Sequence, residues 1–416
     1  MATLISTSGP TQTPDRKNSA PAVAILICTI VTVMEGYSLI VFGSVIPLLL
    51  TDGSLGITPQ SAGVLGSLVY VGMFFGAILA GIIGDRIGRQ PVLVVAIALF
   101  ALGGLLAGFA DSATALGFAR LLSGLGVGGA VTTALALARN HAPANRSSLV
   151  VNITMAGIPL GGTIAALLGI WLLPLYGWRV MFFVGAALTT VILLIVLTVR
   201  LEDRHAFREA KASAPTRDSS LKLLFSGRGS LLAILIAAVA VPNMFTWFGL
   251  NVWLTATMNA LKFPLASALL FSLTLTAGAV IGSLATAFWA DRWGALRVGT
   301  VTALFTVVGL VGVVWIGSQS LPALLVFIAL MGAGGHSTMN LLNAATSNLF
   351  APEIRGTAIG WANGISYFGA FGPIAGGLVL SSAAGPGGVF VLFGGSAVLA
   401  FVATGLFAAV TRKQHA

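Results

Sequence analysis

Charge is scarce in this chain. Only 8% of its 416 residues are Asp, Glu, Lys or Arg, and only 11 are acidic. Soluble domains carry about a quarter. A soluble protein of this size could not cover its surface with so few charges, so lipid must solvate much of it. Cysteine is nearly absent: Cys28 stands alone, which excludes an internal disulfide. The histidines, His141, His205, His336 and His415, are scattered, so no metal site is expected. No Walker-type phosphate loop is present, which argues against an ATP-driven pump. No enzyme constellation appears either, and no cofactor is expected.

Apolar residues and glycine fill the gap. The chain is 57% hydrophobic, with mean hydropathy +1.01 and 52 glycines. Glycine is common in membrane helices because it lets backbones approach closely. A span needs roughly 20 apolar residues. Twelve such runs can be read, at about 21–48, 60–84, 91–110, 113–139, 147–173, 178–200, 229–258, 265–290, 296–317, 321–349, 355–383 and 387–410. None shows the alternation of a membrane barrel, so an all-α membrane protein is expected. Residues 1–20, rich in Ser, Thr and Pro, read as a disordered N-terminus. The run after them is too long for a signal-peptide core, so it is expected to stay as the first span.

Loop charges set the expected orientation. With the N-terminus inside, every basic residue except Arg120, Arg179 and Lys262 falls on the cytoplasmic side. The positive-inside rule then puts both termini in the cytoplasm of a bacterial-type inner membrane. The basic excess is therefore topological, and no nucleic-acid partner is expected. Residues 201–228 form the one long charged connection. It separates a six-helix bundle at 21–200 from a second at 229–410, with a tail at 411–416. The halves resemble each other. Asp85-Arg86-x-Gly88 recurs as Asp291-Arg292-x-Gly294, and Pro143-x-x-Arg146 recurs as Pro352-x-x-Arg355. A repeated half is the expected build of an alternating-access carrier, with its site between the halves near the midplane.

Gly81-Ile-Ile-Gly-Asp85-Arg86-Ile-Gly88-Arg89-Gln90 resembles the signature loop of the major facilitator superfamily, G-x-x-x-D-R-x-G-R-R/K, except for its final Gln. Arg120-Leu-Leu-Ser-Gly124-Leu-Gly126 resembles that superfamily's fourth-helix pattern. The resemblance implies two pseudo-symmetric six-helix bundles and a gating role for Gly81, Asp85, Arg86, Gly88, Arg89, Asp291 and Arg292. Within the superfamily the chain is most similar to the aromatic acid:proton symporters. Glu35-Gly36-Tyr37-Ser38-Leu39-Ile40-Val41-Phe42-Gly43 looks like their first-helix motif, D-G-Y/F-D-L-x-V-Y-G. Gly157-Ile-Pro-Leu-Gly161-Gly162, Gly249-Leu-Asn251-Val-Trp253 and Gly369-Ala-x-Gly372-Pro373-x-x-Gly376-Gly377 resemble their fifth, seventh and eleventh helices. Two positions depart. Ser38 replaces the family's second first-helix acid, and the usual eleventh-helix arginine is missing around Tyr367.

Of all the acids only Glu35 lies deep in a span, and of the bases only Arg120. A charge at the bilayer centre costs at least ~2.5–3.5 kcal/mol, so such groups face a polar cavity or a partner. Glu35 is read as the proton site, since a carboxyl exchanges its proton when its surroundings alternate between apolar and cation-bearing. Arg120 is read as the substrate-carboxylate site, for which its planar fork is suited. The alternative is a static ion pair locking the first half. Ser38, one turn beyond Glu35, lines the cavity or bonds its own backbone. Tyr37 binds substrate or packs between helices. Asn251 amid Trp247 and Phe248 suits a substituted ring, the alternative being that the aromatics are core or lipid-facing. His336, Asn340 and Asn343 form a stripe on the tenth span. His336 is either a second proton site or a neutral hydrogen-bonding group. Tyr367 would donate to substrate in place of the missing arginine.

The reading that follows is proton-coupled uptake of a small aromatic carboxylate, benzoate or a hydroxybenzoate, by a carrier functional as a monomer in the lipid bilayer. The rivals are a facilitator or exporter of a less acidic compound and, more remotely, a non-transporting receptor, for which the short tails and central loop leave no signalling domain.

Overall fold

The computed structural model describes residues 21–143, 147–201, 222–317 and 319–412. The expected disordered N-terminus at 1–20, most of the central loop and the last four residues lie outside them. Helices make up the described chain: α1 (Pro21–Asp52), α2 (Pro59–Ile87), α3 (Arg89–Gly108), α4 (Ala113–His141), α5 (Ser147–Met155), α6 (Gly157–Tyr176), α7 (Arg179–Thr198), α8 (Arg228–Ala260), α9 (Leu265–Trp293), α10 (Ala295–Ile316), α11 (Leu321–Leu349), α12 (Pro352–Ser366), α13 (Phe371–Leu380) and α14 (Gly385–Arg412). Eleven stretches are long and apolar enough to cross a membrane, with α5 and α6 together supplying the fifth. The twelfth crossing is the eleventh in order, and it is not one helix. It runs through α12, a 3-10 turn at Tyr367–Ala370, and α13.

Both interruptions have the same form. Pro159 and Pro373 each stand third in the helix that follows the break, in α6 and α13. A proline there loses no helical hydrogen bond, whereas in an unbroken helix it would clash with the carbonyl four residues back. Outside the bundle, large apolar side chains such as Trp171, Leu175 and Trp315 are exposed, as a lipid-facing surface requires.

The helix pairings repeat between the halves. In the first, α4 packs on α2 and α3, and α7 packs on α3; in the second, α11 packs on α9 and α10, and α14 packs on α10. The repeated Asp-Arg-x-Gly segments adopt the same bend. Gly88 caps α2 at φ 99° and Gly294 caps α9 at φ 88°, a backbone conformation that favours glycine. In each, the glycine N–H donates to the carbonyl four residues earlier, Gly84 or Ala290.

The halves meet chiefly where α1 packs on α8, α2 on α13 and the 3-10 turn before it, and α6 on α9. With twelve crossings, both described ends of the chain lie on one side, here called the termini side. Contacts of α2 with α13 and with the 3-10 turn before it lie towards the opposite, far side. Ser67 donates to the Ala370 carbonyl at 2.6 Å, and a Cβ at Gly63 would come within 2.6 Å of the Pro373 carbonyl. Nearer mid-depth, Phe74 meets Tyr367 edge to face, with centroids 6.2 Å apart. Beyond that contact the same faces continue to Gly81 on α2 and to Gly364, Gly360 and Gly356 on α12. A Cβ at any of these four would touch nothing within 4 Å. The two halves are thus sealed on the far side and parted on the termini side.

Candidate functional site

Glu35 and Arg120 are both buried in the first half, at 5% and 2% exposure. They form no ion pair. Glu35 Oε2 and Arg120 Nη2 are each buried without a hydrogen-bond partner among the described residues. The Arg120 guanidinium lies 4.3 Å from the centroid of the Phe42 ring, and its Nε donates to the Leu65 carbonyl at 3.5 Å. The static pair weighed from sequence is therefore not what the fold holds. Helix geometry gives the reason. From their far-side ends, Arg120 is seven residues into α4 and Glu35 seventeen into α1, depths of roughly 10 and 25 Å.

Tyr70 stands at an intermediate depth, eleven residues or roughly 16 Å into α2. It lies within electrostatic reach of both Arg120 and Glu35. Its hydroxyl is fully buried and has no partner. Its ring stacks on Phe248 of α8, with centroids 3.9 Å apart and planes 18° from parallel. Sequence reading missed Tyr70. The available signal was a tyrosine in mid-span, one of only four in the chain. Tyr367 also lies within electrostatic reach of Glu35, from the second half.

The other sequence candidates divide. Tyr37 donates to the Met181 carbonyl at 2.9 Å, with Gly185 beneath its ring, so it fastens α1 to α7. Ser38 lines a cavity of about 20 Å3 shared with Tyr37, Arg120 and Ser123. That cavity lies among α1, α3, α4 and α7, within the first half rather than between halves, and has room for little more than a water molecule. Asn251 donates to the Trp247 carbonyl of its own helix at 2.6 Å. Trp247 packs beside His336, with ring centroids 5.6 Å apart. His336 is buried and its Nε2 has no partner. Asn340 donates to Ser283 at 3.4 Å, tying α11 to α9, and Asn343 donates to Asn363 at 3.1 Å, tying α11 to α12. At the two Asp-Arg-x-Gly segments, Asp85, Arg86, Asp291 and Arg292 are exposed, and Arg292 lies over Phe288. Gln90, the departure from the signature, donates to the Val199 carbonyl at 2.6 Å and accepts from Leu201 N–H at 2.9 Å. It anchors the end of the sixth crossing to α3.

The second half does not mirror the charges. Counting from the start of each half, Asn243 on α8 stands where Glu35 stands on α1, and its amide is engaged with the Gly335 carbonyl at 3.0 Å. Of the charged groups with a buried, unpartnered atom among the described residues, Glu35 and Arg120 lie in the first half and Arg355, at its Nε, in the second.

A family model described as Major Facilitator Superfamily matches residues 28–371 and 269–416. The chain belongs to the major facilitator superfamily. It is a multi-pass membrane transporter, not an enzyme. The chain is 32% identical to the "Gentisate transporter" of Corynebacterium glutamicum over 91% of its own length and 86% of that protein's. It is 30% identical to the "Benzoate transport protein" of Acinetobacter baylyi, covering 86% of this chain and 83% of that one. Its fold is similar to a crystal structure of a D-xylose-proton symporter, with TM-score 0.75 at 18% identity over 93% of this carrier and 97% of that one. The aromatic-acid motifs read from α1, α6, α8 and α13 agree with these likenesses.

Proposed function

We propose that this carrier takes up a small aromatic carboxylate, of benzoate or hydroxybenzoate type, together with protons by alternating access. The observation that carries the proposal is the isolation of Glu35 and Arg120. An anion-binding fork and a carboxyl are buried in one half, each with an unsatisfied polar atom and neither neutralised by the other. A buried group left in that condition is costly unless a ligand or proton completes it in another state. In this scheme Arg120 holds the substrate carboxylate and Glu35 the proton. The names of the relatives supply the substrate class.

With both termini assigned to the cytoplasm of an inner membrane by loop charge, the state described is inward-facing. The moving bodies are the halves at 21–200 and 229–410, and Gly81, Asp85, Arg86, Gly88, Arg89, Asp291 and Arg292, at the matching helix junctions, gate their movement. Asn251, Trp247, Asn340, Asn343 and Tyr367 supply the second half's wall, with His336 as a second protonatable group. Tyr37 and Ser38 support α1.

The test is uptake of labelled benzoate and 4-hydroxybenzoate into proteoliposomes under an imposed pH gradient. Accumulation that a protonophore abolishes is expected. Equilibration indifferent to the gradient would instead favour a facilitator, and gradient-driven efflux an exporter. Those rivals draw support from Ser38 and Tyr367, which stand where the family carries charge.

A further inference from the structure

The pairing of Tyr70 with Phe248 has no role in the scheme above. The two rings come from opposite halves, α2 and α8, and stack almost parallel at 3.9 Å. Both are buried, Tyr70 completely and Phe248 to 7% exposure. Stacking alone does not require a hydroxyl, since a phenylalanine would pack as well. Yet Tyr70 carries one into a buried position with no acceptor. A buried hydroxyl left without a partner is destabilising. The same hydroxyl lies within electrostatic reach of Arg120, whose own Nη2 is also unpartnered. The unpartnered hydroxyl thus belongs to an aromatic pair that joins the halves and must part whenever they separate on the far side.

We propose that Tyr70 and Phe248 form a substrate slot occupied here by its own walls. When the halves part on the far side, the rings separate and the substrate ring enters between them. Its carboxylate then accepts hydrogen bonds from Arg120 and from the Tyr70 hydroxyl. When the far side closes again, Phe248 returns to Tyr70 and displaces the ring towards the termini side. The slot thus selects for an aromatic ring bearing a carboxylate, and Tyr70 determines both parts of that preference. This inference rests on the aromatic-acid reading.

Equilibrium binding of benzoate and of cyclohexanecarboxylate to purified carrier separates the possibilities. In Y70F the stack survives and the donor is lost. Affinity for both acids is expected to fall about tenfold, the effect of losing a hydrogen bond to a charged group. In F248L the donor survives and one wall is lost. The preference for benzoate over cyclohexanecarboxylate is expected to shrink by about threefold to tenfold, in line with the worth of an aromatic pair. Melting of the ligand-free variants reports on folding, and each variant tests the slot without the other. Wild-type affinity in Y70F together with an unchanged preference in F248L overturns the inference alone. Failure of the wild-type carrier to bind either acid overturns the aromatic-acid reading, and this inference with it.

Discussion

Glu35 and Arg120 share one half of the bundle but stay apart, each with a buried polar atom that no described residue satisfies. A pair already neutralised would have little reason to respond to substrate or proton. Separated groups can each take a ligand, and the coupling between them must pass through what lies between. Tyr70 stands at an intermediate depth, within electrostatic reach of both.

Replacing Glu35 by Gln keeps the shape and removes the titratable oxygen. Accumulation against a gradient should be lost, while counterflow exchange of labelled for unlabelled substrate should persist. Accumulation that survives at the wild-type level excludes Glu35 as the proton site.

Replacing Arg120 by Lys keeps the charge and removes the planar fork, along with its stacking on Phe42. Substrate affinity is expected to fall at least about tenfold. Measured by binding rather than uptake, an unchanged affinity would show that charge alone suffices.

Tyr37 offers a contrast. Its hydroxyl is committed to the Met181 carbonyl at 2.9 Å. Tyr37→Phe should cost stability, by about 1 kcal/mol, and leave the KM for uptake unchanged. A raised KM without loss of thermal stability would return Tyr37 to the substrate site.

The empty faces of α2 and α12 predict where the termini side closes. A carrier with Cys28 replaced by Ser and cysteines at Gly81 and Gly360 should not cross-link in the state described, where a Cβ at either position meets nothing within 4 Å. The disulfide should form under oxidant only as the carrier cycles, and transport should then stop. Cross-linking that is complete in the resting carrier would show that the two faces already touch.

Crossing number, approximate limits and the repeat were legible because they are local. Length and apolarity mark a span, and Gly88 and Gly294 mark the two matching bends through a backbone angle that favours glycine. Glu35 and Arg120 stood out for the same reason: a charge in an apolar run is visible without any neighbour. Tertiary structure decided the rest. Ser38 turns into a cavity of the first half, Asn251 is taken up by its own helix, and the eleventh crossing breaks before Pro373. Tyr70 gains its place only from Phe248 on a helix about 180 residues away in sequence. The rotation of a helix about its axis, and the depth at which its side chains meet another's, are set by packing between distant segments. In lipid that packing depends on close backbone approach and shape rather than on an apolar face that a sequence would display.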